Sequence, residues 1–206
     1  MSKGLKGIYL ITDTIIQHRF SHVELAMMTV EAGVQMIQYR NKQMTARESI
    51  AEIREIAEIT SGTETTFIVN DRADLALAGG ADGVHLGQDD LPIPAARKVL
   101  GKEKIIGGTS STVEEALQVE QAGADYVALG HIFETTTKQK HYPPRGLETL
   151  REVAEAVSIP LVAIGGITLE NARDVFEAGA DIIALSSAIC AADDPGEAAR
   201  KFVETV

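Results

Sequence analysis

The stretch that decides the fold reads QAGADYVALG and runs from Gln121 to Gly130. It recurs as EAGVQMIQ at 31–38, as AGGADGVHLG at 78–87 and as EAGADIIALS at 177–186. In each copy a helix ends, a glycine follows at a position suited to the left-handed conformation that caps helices, and an apolar strand begins. A repeat of this kind predicts a fold built from successive helix, turn and strand units.

Short apolar runs extend this pattern along the chain and have the character of parallel strands buried on both faces. Helices are predicted between them, with capping boxes at Ser21–Glu24, Thr45–Glu48 and Thr112–Glu115. Strict alternation in 206 residues predicts an α/β fold, a single (β/α)8 TIM barrel forming one catalytic domain over residues 1–206. The predicted strands are Gly7–Thr12, Met36–Arg40, Thr66–Asn70, Gly83–Gly87, Ile105–Thr109, Tyr126–Gly130, Leu161–Gly165 and Ile182–Ser186.

The amino-acid composition and net charge limit the kinds of molecule that this protein is expected to bind. Hydrophobic residues make up 45% and charged residues 24% of the chain, as in ordinary globular proteins, and no apolar run is long enough to span a bilayer. The net charge of −11 argues against nucleic acid or membrane partners. The one cysteine, Cys190, cannot form an internal disulfide, so we expect a reducing, cytoplasmic location. Small molecules are the expected partners, and the sequence leaves a homo-oligomer open.

The end of the second predicted strand carries two cations in the stretch QYRNK at 38–42. Alternate residues of an extended segment share a face, so Gln38, Arg40 and Lys42 point the same way. If that way is inward, two cations lie at the barrel mouth with no acidic residue in the motif, an arrangement suited to phosphate oxygens. The alternative is that Arg40 and Lys42 are solvated surface residues.

Acidic side chains follow the next two predicted strands. Asn70 and Asp71 come after the third strand, and Asp89 and Asp90 come after the fourth. Carboxylates from adjacent loops can converge on Mg2+, which takes one or two carboxylates together with water and substrate phosphate oxygens. The alternative is that each aspartate caps a helix or starts a turn.

The later loops carry a second set of polar features. Thr109 ends the fifth strand, and the long segment His131–Arg145 contains basic residues that can close over an anionic substrate or simply face solvent. Gly165 and Gly166 follow the seventh strand, where barrels commonly hold phosphate and where glycine lets backbone amides approach a ligand. The sequence thus predicts two anion sites, one with a metal near strands two to four and one without a metal near strands seven and eight.

Taken in this order, the motifs resemble those of the thiamine phosphate synthase family over essentially the whole chain. The resemblance implies a transferase that couples hydroxymethylpyrimidine diphosphate to a thiazole phosphate, giving thiamine phosphate and pyrophosphate with Mg2+ as cofactor. It also implies a dissociative mechanism, in which pyrophosphate leaves before the thiazole nitrogen attacks the pyrimidine methylene cation. The motifs that carry the resemblance are Gln38–Lys42, Val69–Asp71, Gly83–Asp90, Thr135–Lys138 and Ala163–Ile167.

The same resemblance implies a role for each motif. Asp71 and Asp90 would bind Mg2+, while Arg40, Lys42 and Lys138 would act in catalysis. The pyrimidine diphosphate would be held by Gln38, Arg40, Lys42, Asn70 and Thr109, and the thiazole phosphate by Thr135, Thr137, Lys138, Gly166, Ser186 and Ser187. Tyr39, Asn41 and Thr136 lie inside these motifs and complete the predicted substrate-binding set.

Two positions depart from the family pattern. Asn41 stands where the family usually has an acid, and the stretch GHIFET at 130–135 replaces the usual Gly-Pro-x-Phe-Pro-Thr. A histidine at this position makes the stretch similar to the related thiazole tautomerase branch, which has the same fold. By that resemblance, His131 would act as an acid or base in the isomerisation of the thiazole. The alternatives to a synthase are therefore a tautomerase and a thiazole phosphate sensor without catalysis. The metal and diphosphate residues present here favour the synthase.

Overall fold

Eight parallel strands close into a barrel in a computed structural model that describes residues 5–135 and 143–206. Each strand pairs with its neighbours in chain order, and β1 pairs with β8 to close the sheet. The predicted (β/α)8 barrel is therefore confirmed. The strands are β1 Gly7–Ile11, β2 Met36–Tyr39, β3 Thr66–Asn70, β4 Gly83–Leu86, β5 Ile105–Ser110, β6 Tyr126–Gly130, β7 Leu161–Ile164 and β8 Ile182–Leu185.

Helices alternate with these strands along the chain. Ser21 and Thr45 form the capping boxes that the sequence predicts. Thr112 accepts a hydrogen bond from the Glu115 amide, but the Glu115 carboxylate accepts from the Ser111 amide at 2.6 Å, so the third predicted box is only half formed. Within the described residues the helices are α1 His22–Glu31, α2 Ala46–Thr60, α3 Ala73–Gly79, α4 Ile93–Leu100, α5 Val113–Gln121, α6 Gly146–Ala156, α7 Ala172–Glu177, α8 Ser187–Cys190 and α9 Pro195–Val203.

The repeated sequence has a repeated structural role. Its glycine adopts a positive φ in every copy, between 84° and 101°, which only glycine tolerates at little cost. The residue just before each even-numbered strand uses a side-chain oxygen to accept a backbone N–H at or near the start of the preceding strand, at 2.7–2.9 Å. The repeat therefore joins neighbouring strands at the end of the barrel opposite the mouth. The glycines are Gly33, Gly80, Gly123 and Gly179, and the acceptors are Gln35, Asp82, Asp125 and Asp181.

The hydrophobic core consists of two clusters of buried side chains. One is a small cluster made almost wholly of strand side chains, with Tyr9 and Tyr126 its largest fully buried members. The larger part joins the strands to the helices and includes Leu25, Ile53 and Val153. Covering both strand faces in this way explains the apolar strand sequences. No helix in the described ranges has the length and apolar character needed to cross a membrane.

Candidate active site

A cavity of about 540 Å³ opens where the strands end, and side chains or backbone from all eight strand ends line it. This is the face at which (β/α)8 barrels carry their active sites. Most of the predicted site residues meet here, including both carboxylates proposed for the metal. The predicted residues that line the cavity are Gln38, Arg40, Lys42, Asn70, Asp71, Asp90, Thr109, His131, Thr135, Gly166, Ser186 and Ser187.

Two other predicted residues lie outside the cavity. The Tyr39 side chain is on the opposite face of β2, where its hydroxyl donates to a Glu52 carboxylate oxygen at 2.7 Å. The Asn41 side-chain oxygen accepts from the backbone amides of Gln43 and Met44, which shapes the loop after β2. Neither the Tyr39 nor the Asn41 side chain therefore lines the cavity. Thr136, Thr137 and Lys138 lie outside the described residues.

Both cations at the end of β2 are paired with carboxylates from other strands. Arg40 Nη1 donates to Asp13 Oδ2 at 2.6 Å, and Lys42 Nζ donates to Asp71 Oδ2. Asp13 is only 4% exposed and is held in place by the backbone amide of Ile15 at 2.8 Å. The QYRNK motif gave no sign of these partners, since they follow β1 and β3. The pairs hold both cations at the mouth of the cavity.

Asp71 and Asp90 form a pair of carboxylates that interact directly with each other. Burial alone would raise the pKa of Asp71, but the Lys42 ammonium and hydrogen bonding with Asp90 outweigh it and hold that pKa below its ordinary value. Burial and the hydrogen bond to Asp71 raise the pKa of Asp90. Asp90 Oδ2 also accepts the Gly87 amide at 2.7 Å, which fixes the turn after β4. Two carboxylates held this close repel each other unless a proton or a cation lies between them.

The carboxylate pair suits Mg2+, because the described residues of the site offer too few side-chain ligands for a metal that is coordinated by protein alone. Among residues 5–135 and 143–206 no group of three or more His, Cys, Asp or Glu side chains is placed to hold a metal. Mg2+ needs only one or two carboxylates when substrate phosphates and water supply the other ligands. Asp71 also has φ 62°, the only positive φ of a non-glycine residue in the described chain, and such strain is typical of functional positions.

The opposite wall of the cavity is formed by the ends of β6, β7 and β8. Gly166 has φ 67°, and a Cβ there would lie 2.3 Å from the Glu134 carbonyl oxygen, so only glycine fits. A Cβ on Gly165 would lie 2.4 Å from the Cβ of His131, which is itself only 4% exposed. The Ser186 hydroxyl is buried and makes no well-formed hydrogen bond to the described residues. The close backbone approach that these glycines allow suits an anionic ligand.

His85 also lines the cavity, a position that its place inside an apolar strand did not predict. Its Nδ1 lies 3.0 Å from the Tyr126 hydroxyl and its Nε2 lies 2.9 Å from Thr109 Oγ1. Burial lowers the pKa of His85 from 6.5 to about 4, against the opposing charge of Asp71, so the ring is neutral at pH 7. A histidine in the middle of a strand looks like a core residue in sequence, and only its register beside Thr109 reveals the contact.

The fold is a (β/α)8 barrel, and its mouth carries paired cations, a carboxylate pair and a glycine-lined wall. These features define the class of barrels that bind small phosphorylated molecules. Residues 8–189 match the family described as thiamine monophosphate synthase, and the chain belongs to that family.

Known relatives agree with this membership. The chain is 46% identical to a thiamine-phosphate synthase of Methanospirillum hungatei over 96% of both chains, and 50% identical to that of Chlorobium phaeovibrioides over 88% of this chain and 87% of that one. Its structure resembles thiamine phosphate pyrophosphorylase from Pyrococcus furiosus, with a TM-score of 0.88, 38% identity and coverage of 97% and 94%. A 3-hexulose-6-phosphate synthase, at 20% identity and a TM-score of 0.75, shares the fold.

Proposed function

We propose that this chain is a transferase that couples hydroxymethylpyrimidine diphosphate with a thiazole phosphate, giving thiamine phosphate and pyrophosphate. The observation that carries the proposal is the pairing of Asp71 with Asp90 beside Arg40 and Lys42, in a cavity of a chain that belongs to this family. Small molecules are therefore the proposed partners, and the cytoplasm is the proposed location because the only cysteine, Cys190, is a free thiol.

The cations after β2 would receive the diphosphate. Arg40, held by Asp13, would direct its remaining guanidinium N–H groups at phosphate oxygens, for which a planar fork of donors is well suited. Lys42 would neutralise the departing pyrophosphate, and Asn70, at the end of β3, lines the same cavity. Asp71 and Asp90 would hold Mg2+, which would supply further positive charge for the leaving group.

The glycine-lined wall would receive the thiazole phosphate. Gly166 lines the cavity together with the hydroxyl-bearing residues Thr135, Ser186 and Ser187. Thr136, Thr137 and Lys138 are proposed to complete this subsite. No protein nucleophile is needed, because the aminopyrimidine ring stabilises the methylene cation and the thiazole nitrogen attacks it. The protein then acts by placing the two substrates and by stabilising charge.

A tautomerase activity on the thiazole carboxylate phosphate is the second candidate. His131 favours it, because this histidine is nearly buried and lines the cavity at the end of β6. An imidazole can give and accept protons near neutral pH. The carboxylate pair has no role in a ring isomerisation, nor in a sensor for the thiazole phosphate alone, so we rank both alternatives below the synthase.

A coupling assay tests the proposal. Purified protein is mixed with hydroxymethylpyrimidine diphosphate, the aromatic thiazole phosphate and Mg2+, and thiamine phosphate is detected as fluorescent thiochrome after oxidation. We expect turnover that EDTA abolishes and excess Mg2+ restores. Folded protein that yields no product would contradict the synthase, and conversion of the non-aromatic thiazole carboxylate phosphate by that sample would favour the tautomerase.

A further inference from the structure

A continuous chain of hydrogen bonds crosses the barrel beneath the cavity. The Gln38 side-chain amide nitrogen donates to the Tyr9 hydroxyl at 2.7 Å, and that hydroxyl lies 3.0 Å from the Tyr126 hydroxyl. Tyr126 in turn lies 3.0 Å from His85 Nδ1, and His85 Nε2 lies 2.9 Å from Thr109 Oγ1. Five strands contribute one member each, and both ends of this relay, Gln38 and Thr109, line the cavity.

The hydrogens of the relay can be ordered in one direction. Because Gln38 donates to Tyr9, the Tyr9 hydroxyl hydrogen is available for Tyr126, and the Tyr126 hydrogen is then available for His85 Nδ1. A neutral imidazole that accepts at Nδ1 carries its hydrogen on Nε2 and donates it to Thr109. In the opposite direction Tyr9 would accept from both Gln38 and Tyr126, and its own hydrogen would need another acceptor in a buried place.

The packing holds the middle of the relay in place. Tyr126 is 0% exposed, and its ring stacks on His85 with 5.6 Å between centroids and 17° between planes. Its ring also meets Tyr9 edge to face, with centroids 6.2 Å apart. A Cβ on Gly107 would lie 2.0 Å from Tyr126 Cζ, so a glycine inside β5 leaves room for this ring. Glycine weakens a strand, so its presence inside β5 indicates that room for the Tyr126 ring is required there.

We propose that the relay fixes the hydrogen-bonding polarity of the cavity floor, with His85 held as its Nε2–H tautomer and Tyr126 as the positioning residue. Gln38 then offers its side-chain carbonyl oxygen as an acceptor, and Thr109 offers its hydroxyl hydrogen as a donor. This combination suits a heterocycle that carries an amino group and an unprotonated ring nitrogen, and it rejects the analogue with an oxo group in place of the amino group. The ligand class rests on the proposed function, whereas the tautomer does not.

The tautomer can be measured directly. Protein labelled with ¹⁵N in its histidine rings gives separate signals for protonated and unprotonated nitrogens, and the His85→Gln variant assigns the His85 signals. We expect Nε2 of His85 to carry the hydrogen in the wild type. Replacement of Tyr126 by Phe removes the donor to Nδ1, so we expect the preference for one tautomer to fall. A hydrogen on Nδ1 in the wild type would overturn the proposal whether or not the protein couples the two substrates.

Kinetics test the consequence for substrates. Tyr126→Phe should raise the KM for the aminopyrimidine diphosphate by roughly 3- to 10-fold, the usual worth of one hydrogen bond, and reduce discrimination against the oxo analogue. Tyr9→Phe should act in the same direction. The matched control is Tyr39→Phe, which removes a hydroxyl bonded to Glu52 on the opposite face of the strand. Unchanged discrimination in folded Tyr126→Phe and Tyr9→Phe proteins would overturn the proposal. A wild type that couples nothing would instead count against the proposed function.

Discussion

Replacement of Asp90 by Asn should stabilise the protein in the absence of metal and abolish its activity. The substitution removes one of two carboxylates that face each other across the loops after β3 and β4. The side-chain oxygen of asparagine can still accept the Gly87 amide, as Asp90 Oδ2 does at 2.7 Å, so the turn is preserved. The two effects have opposite signs because the repulsion that destabilises the free protein is what attracts a divalent cation.

The size of the effect follows from Coulomb's law. Two like charges about 4 Å apart repel by about 4 kcal/mol at an effective dielectric constant of about 20. Lys42 neutralises much of the charge on Asp71, and Asp90 is only partly buried, so the net repulsion is reduced to about 1 kcal/mol. For a domain of this length, that corresponds to a rise in Tm of about 2–4 °C.

Thermal unfolding with and without Mg2+ measures both effects. In EDTA we expect the Asp90→Asn protein to melt a few degrees above the wild type. With Mg2+ and pyrophosphate we expect the wild type to gain stability and the variant to gain none, while coupling is lost. Asp89→Asn is the matched control, since it removes the same charge one residue away. An Asp90→Asn protein that melts lower in EDTA, or that keeps its response to Mg2+, would refute the assignment of this carboxylate pair.

Three further predictions concern other parts of the chain. Burial lowers the pKa of His22 from 6.5 to about 4, so the folded protein favours the neutral imidazole. This preference contributes about 3 kcal/mol to the free energy of unfolding. The contribution is fully present above pH 6.5 and is lost as the pH falls to 4. Denaturation at several pH values should show a smaller loss in His22→Gln. Asp125→Asn weakens the bonds to Arg97 and the Ile106 amide, and should lower the free energy of unfolding by about 1–3 kcal/mol with coupling unchanged. His131→Gln should leave coupling largely intact and remove any tautomerase activity, so a coupling rate that falls in parallel would place His131 in the synthase reaction.

The fold was predictable because its signals are local. The left-handed glycines, the apolar strands and two of the three capping boxes each lie within about ten residues of sequence, and the structure reproduces them. The repeated aspartates also served as a marker of the repeat, although their role is to accept a backbone N–H from a neighbouring strand, as Asp82 does for Phe67. A repeat can therefore be recognised before its physical reason is known.

The contacts around the cavity were less predictable because they depend on register between distant strands. Asp13 meets Arg40 across 27 positions in sequence, and Tyr9 meets Tyr126 across 117. Neither pair follows from a motif. Tyr39 is different, because alternation along β2 already places it on the face opposite to Gln38 and Arg40. In the structure the Tyr39 side chain does lie on that opposite face, where it bonds to Glu52 and does not line the cavity, so motif membership was a weaker guide to its position than this geometry.

The strained and electrostatically unfavourable features of the described chain concentrate at one end of the barrel. Asp71 has a positive φ, Asp90 lies against a like charge, and the partly buried His85, which lines the cavity, has a lowered pKa. At the other end, comparable acidic residues are satisfied by backbone amides, and Asp125 is also paired with Arg97. Local rules are broken where function outweighs stability. The same sequence pattern therefore joins the strands at the base of the barrel, while the residues that close each strand at the mouth line the cavity in which we propose that metal, phosphate and heterocycle bind.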